Sequence, residues 1–233
     1  MVGGVVWGSL WGYGRLSPLL AKWFEIHEVA VSGLGHVTRA EVLERLALPQ
    51  GQSVLWIRPR QLAERLQAHP WIKTAEITRQ PPHRLTVTIA ERSPAAVLRT
   101  TAAAVLLDEE GHALANLKPD DDPDLPVLIG LDPKAVMGGD VRSRLVAQAG
   151  IKVAVLLERS FEGRPEVDVR DPDNAVGYVQ GLRFQFGPSA FDEKWDRYRK
   201  IQPHASSGSE GQAGHWNEVD LRYPGKVIFR ERG

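Results

Sequence analysis

The chain has 233 residues, of which 42% are hydrophobic and 25% are charged, which is typical of a globular protein with one or two domains. Its 29 basic and 29 acidic residues give a formal net charge of zero, which argues against a nucleic-acid-binding protein. The absence of cysteine excludes disulfide bonds and thiolate chemistry but leaves the cellular compartment open.

The first fourteen residues are apolar, include several glycines and carry no charged side chain. A helix that spans a bilayer needs about 20 apolar residues, so this segment is too short by itself. Three interpretations are open: a signal peptide, although a charged n-region is missing; a buried core segment, although glycine weakens a helix; or the C-terminal part of a transmembrane helix. The aromatic residues that would suit a membrane interface are Trp7, Trp11, Tyr13 and Trp23.

Residues 24–92 predict the order strand, helix, helix, strand, strand. Alternating apolar residues predict the first strand over 24–31, and Thr38 with Glu41 forms the capping-box pattern that opens the first helix. Pro59 stands where the first turn of the second helix is expected. Alternation at residues 75–77 and 85–89 predicts the last two strands.

One face of the last strand is expected to pack against the apolar stripes of both helices. The expected strand face comprises Leu85, Val87 and Ile89. The expected helix residues are Leu43, Leu46, Leu62 and Leu66, with Ala40, Ala47 and Ala63 beside them.

Residues 95–233 predict a mostly β domain with two helices. Short apolar runs bounded by turn residues predict strands at 105–107, 125–129, 167–169, 176–179, 182–186, 216–223 and 226–230. A first helix is predicted over 140–158 from the helical spacing of Val141, Leu145, Ala149, Val153 and Leu156. A second is predicted over about 191–200 from Phe191, Trp195 and Tyr198.

No pattern indicates a catalytic, cofactor or metal site. Residues 33–38 lack the third glycine of a dinucleotide fingerprint, and the acidic residues at 120–124 lack the spacing of a calcium loop. The seven histidines share no ligand spacing, and there is no cysteine to join them. We therefore expect no cofactor, no metal, no catalytic residue and no small-molecule substrate.

Three motifs in the same order resemble the FtsQ/DivIB family of bacterial cell division proteins. Residues 70–82 read PWIKTAEITRQPP, residues 184–187 read FQFG ahead of an aromatic helix, and residues 219–223 read VDLRY. The strand-helix-helix-strand-strand order of residues 24–92 resembles a POTRA domain. The resemblance implies an α+β fold, with a membrane-anchor remnant and linker at 1–23, a POTRA domain at 24–94 and a β domain at 95–233.

The resemblance implies a non-enzymatic scaffold of the division machinery that binds FtsB/FtsL-type division proteins. It also favours the transmembrane interpretation of residues 1–14, with a single pass through the inner membrane. The bulk of the chain would then lie in the periplasm, at the midcell division site. The first basic residues, Arg15 and Lys22, follow the apolar segment, so the positive-inside rule gives no support from this chain.

In the family the partner contact lies in the last strands of the β domain, which implies a site near the end of this chain. A strand over residues 226–230 at a sheet edge would offer unpaired backbone groups to a partner strand. Tyr223 would anchor a partner side chain and Arg222 would pair with a partner carboxylate; alternatively, Tyr223 is a core residue and Arg222 is solvated. The predicted partner-binding residues are Arg222, Tyr223, Lys226, Val227, Ile228, Phe229 and Arg230.

Two other functions stay open. A POTRA-containing outer-membrane assembly or secretion factor would dock client polypeptides, but it would normally carry several POTRA copies or a long barrel of alternating strands. A periplasmic hydrolase would need a catalytic constellation, and none is evident in the sequence.

Overall fold

The structure is a computed structural model that describes residues 22–118, 120–206 and 216–231, with backbone alone for residues 202–206. The chain divides into two compact units, Met1–Arg92 and Ser93–Gly233. The predicted anchor and linker at residues 1–23 lie outside the described residues, except for Lys22 and Trp23. Among the helices that are described, none combines the length and the apolar character that a bilayer crossing requires.

Unit 1 contains a three-stranded sheet and two helices. Its elements are β1 (Glu28–Ser32), α1 (Arg39–Leu46), α2 (Pro59–Gln67), β2 (Ile72–Gln80) and β3 (Arg84–Glu91). The strand order is β1-β3-β2, in which β3 runs parallel to β1 and antiparallel to β2. The predicted order of strands and helices is confirmed, and it is the order of a POTRA domain.

The helix starts follow from the local sequence. The backbone N–H of Glu41 donates to Thr38 Oγ1 at 3.3 Å, and the Thr38 N–H donates to Glu41 Oε2 at 2.7 Å, so the predicted capping box is present. Pro59 occupies the first turn of α2, where its missing N–H costs nothing.

The core of unit 1 lies between the sheet and the two helices. Leu85, Val87 and Ile89 are buried in one cluster with Leu46, Leu62 and Leu66, as the alternation and the helical spacing predict. The prediction is wrong for Leu43, whose side chain is 38% exposed, and for Ala40 and Ala47, which are also exposed. The inner face of α1 is instead formed by Val42 and Leu46, which are four residues apart and therefore lie on one side of the helix.

Unit 2 is a mostly β structure with few helices, as predicted. Its strands are β4 (Pro94–Arg99), β5 (Ala104–Asp108), β6 (Ala113–Asn116), β7 (Val127–Ile129), β8 (Glu166–Asp168), β9 (Ala175–Val179), β10 (Leu182–Gly187), β11 (Glu218–Asp220) and β12 (Ile228–Arg230). Its helices are α3 (Pro133–Met137), α4 (Val141–Glu158) and α5 (Phe191–Ser206). In the described part of unit 2 the strands form one sheet in the order β12-β11-β10-β9-β8-β7-β4-β5-β6. Strands β4 and β6 and the short helix α3 were not predicted.

The helix over residues 140–158 is present, with Asp140 as its N-cap, but its predicted apolar stripe is partly wrong. Val141 and Leu145 are more than half exposed. The buried face lies on another side of the helix and shares only Val153 with the predicted stripe; it comprises Ala147, Gly150, Ile151, Val153, Ala154 and Leu157. At Gly150 a Cβ would lie 2.8 Å from Val169 Cγ1, so the sheet approaches this helix too closely for a larger residue.

Candidate partner-binding site

Two short strands form the C-terminal edge of the sheet in unit 2. Strand β11 runs parallel to β10, and β12 runs antiparallel to β11, with Val219 opposite Phe229. Both are shorter than the predicted strands at 216–223 and 226–230. Because β12 is the terminal strand of the sheet in the described part of the chain, its outer side is an edge.

The apolar face of this edge packs against an aromatic core. Val219 is fully buried, and the Phe229 ring lies 4.8 Å from the Trp216 ring and 6.4 Å from the Tyr198 ring, centroid to centroid. Burial raises the pKa of Tyr198 to about 12, so this core residue stays neutral. These contacts pack one face of the three-residue strand β12 against the aromatic core.

The opposite face carries a buried carboxylate that three side chains share. Glu218 accepts hydrogen bonds from Arg183 Nη1 at 2.6 Å, Gln185 Nε2 at 2.8 Å and Arg230 Nη1 at 3.2 Å. Burial would raise the pKa of Glu218, but the hydrogen bonds from Arg183 and Gln185 outweigh it and hold that pKa below its usual value. Ionised Glu218, on β11, therefore links β10 and β12 to its own strand through these hydrogen bonds.

Asp220 is a second buried carboxylate with arginine partners, two residues further along the chain. It is fully buried and accepts from Arg222 Nε at 2.9 Å, Arg222 Nη2 at 2.7 Å and the Arg222 backbone N–H at 3.1 Å. Arg230 Nη2 lies 3.5 Å from the same carboxylate. Burial opposes ionisation, yet the hydrogen bonds from Arg222 lower the pKa of Asp220, and the same hydrogen bonds raise the pKa of Arg222.

The predicted site residues divide into four groups. Arg222 and Arg230 are tied into the carboxylate network, although their side chains remain 38% and 44% exposed. Tyr223 is 45% exposed, so the alternative that it is a core residue is wrong. Lys226 is exposed in the turn before β12. The half-buried apolar run of the edge consists of Val227, Ile228 and Phe229.

The turn that carries Tyr223 is itself held in place. Arg197 Nη1, on α5, donates to the Tyr223 carbonyl oxygen at 3.0 Å. Gly225 adopts a φ of 69°, the left-handed region that glycine enters freely. The Tyr223 ring is therefore presented to solvent by a fixed backbone.

A five-residue pattern occurs twice, and sequence reasoning missed it. Residues 166–170 read EVDVR and residues 218–222 read EVDLR. In both copies the arginine N–H, Nε and Nη2 donate to the aspartate two positions earlier. Each copy also forms the same arrangement, because β8 pairs parallel with β7 and antiparallel with β9, as β11 does with β10 and β12.

The two copies of the repeat differ in whether their last strand is covered by a further strand. In the first copy the far side of β9 is covered by antiparallel β10. In the second copy the equivalent strand, β12, ends the described sheet. The missed residues Glu218 and Asp220 could have been found from this repeated alternation of acidic and apolar residues, whereas Arg183 lies outside the repeat and had no such signal.

Outside this edge, the ligand atoms of Asp108, Glu110 and His112 lie within 4.8 Å of one another. Histidine spacing alone did not reveal this group. Asp108 Oδ1 accepts the backbone N–H groups of Glu110 and His112 at 3.0 and 2.7 Å, so the group is accounted for as the turn between β5 and β6.

Comparison with known proteins agrees with this architecture. The sequence profile described as "POTRA domain, FtsQ-type" matches residues 24–92. The "Cell division protein FtsQ" of Myxococcus fulvus is 28% identical over 228 residues, covering 95% of this chain and 79% of that protein. The protein of the same name from Anaeromyxobacter sp. is 28% identical, covering 96% and 76%. Residues 24–92 therefore match a POTRA domain of the FtsQ type, and the chain is similar to FtsQ proteins along nearly its whole length.

A solved FtsQ/DivIB structure is also similar, in a limited sense. The major extracytoplasmic domain of the trans isomer of the bacterial cell division protein DivIB from Geobacillus stearothermophilus is 18% identical and covers 52% of this chain and 99% of that chain. Its TM-score is 0.29.

Proposed function

We propose that this protein is a non-enzymatic scaffold of the bacterial division machinery. The FtsQ-type POTRA match supports this role, and so does the similarity to relatives called cell division proteins along nearly the whole chain. The described residues offer two docking units, and the one ordered charge network at the C-terminal edge serves to hold a strand in place. A scaffold needs rigid surfaces of this kind.

The scaffold is held at the inner membrane by the apolar segment at residues 1–14, and residues 15–23 lead from it into the POTRA domain at 24–94. The POTRA domain and the β domain at 95–233 lie in the periplasm at the division site. The apolar character of residues 1–14 and their interface-type aromatic residues support this topology.

The edge strand β12 is the observation that carries the partner assignment. Arg230 of β12 forms ion pairs with Glu218 and Asp220. The apolar run of the edge, residues 227–229, is only half buried. A fixed, half-apolar edge is suited to the addition of a strand from a partner, since the backbone groups are already aligned. In the first copy of the repeat the equivalent strand, β9, is covered by antiparallel β10, and this supports the same arrangement for β12. We assign the FtsB/FtsL-type pair as the source of that strand.

Arg222 and Tyr223 flank the edge and contribute side-chain contacts. A guanidinium carries five N–H donors, and Asp220 engages two of those on Arg222, so the exposed remainder can meet a partner carboxylate. Tyr223 offers a large, exposed ring on a fixed turn, and aromatic side chains of this kind often dominate binding energy.

Binding of an FtsB-type peptide to purified variants tests the assignment. We expect Arg222→Glu and Tyr223→Ala each to weaken binding about tenfold or more, equivalent to about 1.4 kcal/mol. Arg170→Glu is the matched control, because Arg170 makes the same contacts to Asp168 in the first copy of the repeat. Unchanged affinity in both folded variants, or equal loss in the control, contradicts the site.

The cellular role has its own test. A fluorescent fusion of the full chain should form a ring at midcell in dividing cells. A uniform envelope signal contradicts the division role and favours an assembly or secretion factor.

A further inference from the structure

We propose that the turn at residues 53–57 of the POTRA unit docks against the surface of the lipid bilayer. This inference rests on the membrane anchor of the proposed function, and it assigns a second membrane contact to a described part of the chain. It is based on two exposed apolar side chains, Leu55 and Trp56, in a turn that is hydrogen-bonded to the segment following the predicted anchor.

The turn contains four consecutive apolar residues that point in different directions. Val54 is fully buried and Ile57 is 5% exposed, so both are held in the core of unit 1. Between them Leu55 is 42% exposed and Trp56 is 78% exposed. Exposed large apolar side chains that adjoin one another are a common mark of an interaction surface.

Hydrogen bonds show that this exposure is built into the turn. The Leu55 N–H donates to Ser53 Oγ at 3.3 Å, and the Trp56 N–H donates to the Ser53 carbonyl oxygen at 3.2 Å. Arg79 Nη2 donates to the Ile57 carbonyl oxygen at 2.6 Å. These backbone groups therefore have hydrogen-bond partners while Leu55 and Trp56 face outward. Neither side chain is part of the buried core.

The same turn is paired with the residues that follow the predicted anchor. The Val54 N–H donates to the Phe24 carbonyl oxygen at 2.8 Å, and the Ile26 N–H donates to the Gln52 carbonyl oxygen at 2.9 Å. Trp23, which directly precedes this pairing, is 69% exposed. Among the described residues of unit 1, the two most exposed aromatic side chains, Trp23 and Trp56, therefore lie on adjoining segments.

Chain length keeps this end of the unit close to the membrane. Nine residue steps lead from residue 14 to Trp23, and at about 3.5 Å each they span at most about 32 Å. This limit applies to Trp23, and the turn is hydrogen-bonded to Phe24, the next residue along the chain. Tryptophan is favoured at the boundary between hydrocarbon and water, because its ring is both apolar and a hydrogen-bond donor.

Charge is consistent with a phospholipid surface. Residues 52–60 carry Arg58 and Arg60 and no acidic side chain, and residues 22–26 add one lysine and one glutamate. A cleft of about 260 Å³ beside Trp56 is lined in part by Arg58 and Arg65. Guanidinium groups beside exposed rings suit lipid phosphates, which attract basic residues close to the surface.

The absence of cysteine makes the position of this turn directly measurable. In Leu55→Cys a single environment-sensitive fluorophore can be attached, and the full chain is then reconstituted into vesicles of phosphatidylcholine and phosphatidylglycerol. Quenching by a nitroxide carried on the lipid is compared with quenching by aqueous iodide. Leu34→Cys is the matched control, because Leu34 is 37% exposed and follows the opposite end of β1.

We expect the label at residue 55 to be quenched several-fold more by the lipid nitroxide than the label at residue 34, and to be protected from iodide. Iodide quenching equal to that at residue 34 overturns the proposal. Protection from both quenchers also overturns it, because the turn is then covered by protein.

A label in Gly8→Cys separates this inference from the anchor itself. A chain that floats with the vesicles and is lipid-quenched at residue 8, but not at residue 55, refutes the docking of the turn alone. A chain that does not float refutes the anchor, and with it this inference.

Discussion

A charge placed at Val87 should unfold the POTRA unit selectively. Val87 is fully buried on β3, between β1 and β2, and its side chain lies in the core cluster with Leu46, Leu62 and Leu66. In Val87→Asp a carboxylate replaces this apolar side chain at a position surrounded by hydrocarbon.

Two costs add at this position. Loss of the buried valine removes about 1.5–3 kcal/mol of hydrophobic stabilisation. A polar group buried without a hydrogen-bond partner costs roughly 2–7 kcal/mol more, even if the new carboxyl becomes protonated. The sum is comparable to the whole stability of a small domain, which is about 5–15 kcal/mol.

Hydrogen exchange measured by mass spectrometry reports the effect unit by unit. We expect the β2 and β3 amides of Val87→Asp to lose protection while those of β9 and β10 keep theirs. Thr78→Asp is the control, because Thr78 is exposed on β2 opposite Thr86. If Val87→Asp exchanges and melts like the parent and the control, the assigned core of this unit is wrong.

Three further outcomes follow from single features of the fold. Gly33→Ala should be severely destabilising in thermal melts, since its Cβ would meet the Ile89 carbonyl oxygen at 1.8 Å, whereas Gly51→Ala, also at positive φ but in open space, should cost only about 1–2 kcal/mol; equal melting temperatures would contradict this. Thr38→Ala should lower stability by about 1 kcal/mol in urea titrations through loss of the α1 cap, and no change would mean that the cap is dispensable. The pKa values of Glu218 and Asp220 are lowered on folding, so their contribution is present above the unfolded pKa values and is lost as pH falls through the folded ones; urea midpoints of unit 2 should therefore drop below about pH 4, and less so in Glu218→Gln.

Much of the POTRA unit could be predicted because its local signals agree with its packing. The capping box at Thr38, Pro59 at the start of α2 and the alternation of β3 each determine a local conformation by themselves. The error at Leu43 arose because α1 has apolar residues on two sides, and periodicity does not reveal which side faces the sheet.

Unit 2 was less predictable because its strands depend on their neighbours. Strands of three residues, such as β8 and β11, are too short for a clear alternation, and they are held by pairing with distant parts of the chain. The same holds for the candidate site. The family resemblance predicts the edge residues. It does not predict their carboxylate partners, Glu218 and Asp220, which depend on the parallel pairing of β10 and β11.

Strand addition along β12 is the central claim, and hydrogen exchange of the full chain with and without an FtsB-type peptide tests it most directly. We predict that amides of residues 226–231 gain protection on binding, while those of β6, the strand at the other end of the described sheet, do not change. Binding that leaves residues 226–231 exchanging at their free rate, or that protects β6 instead, would contradict the claim.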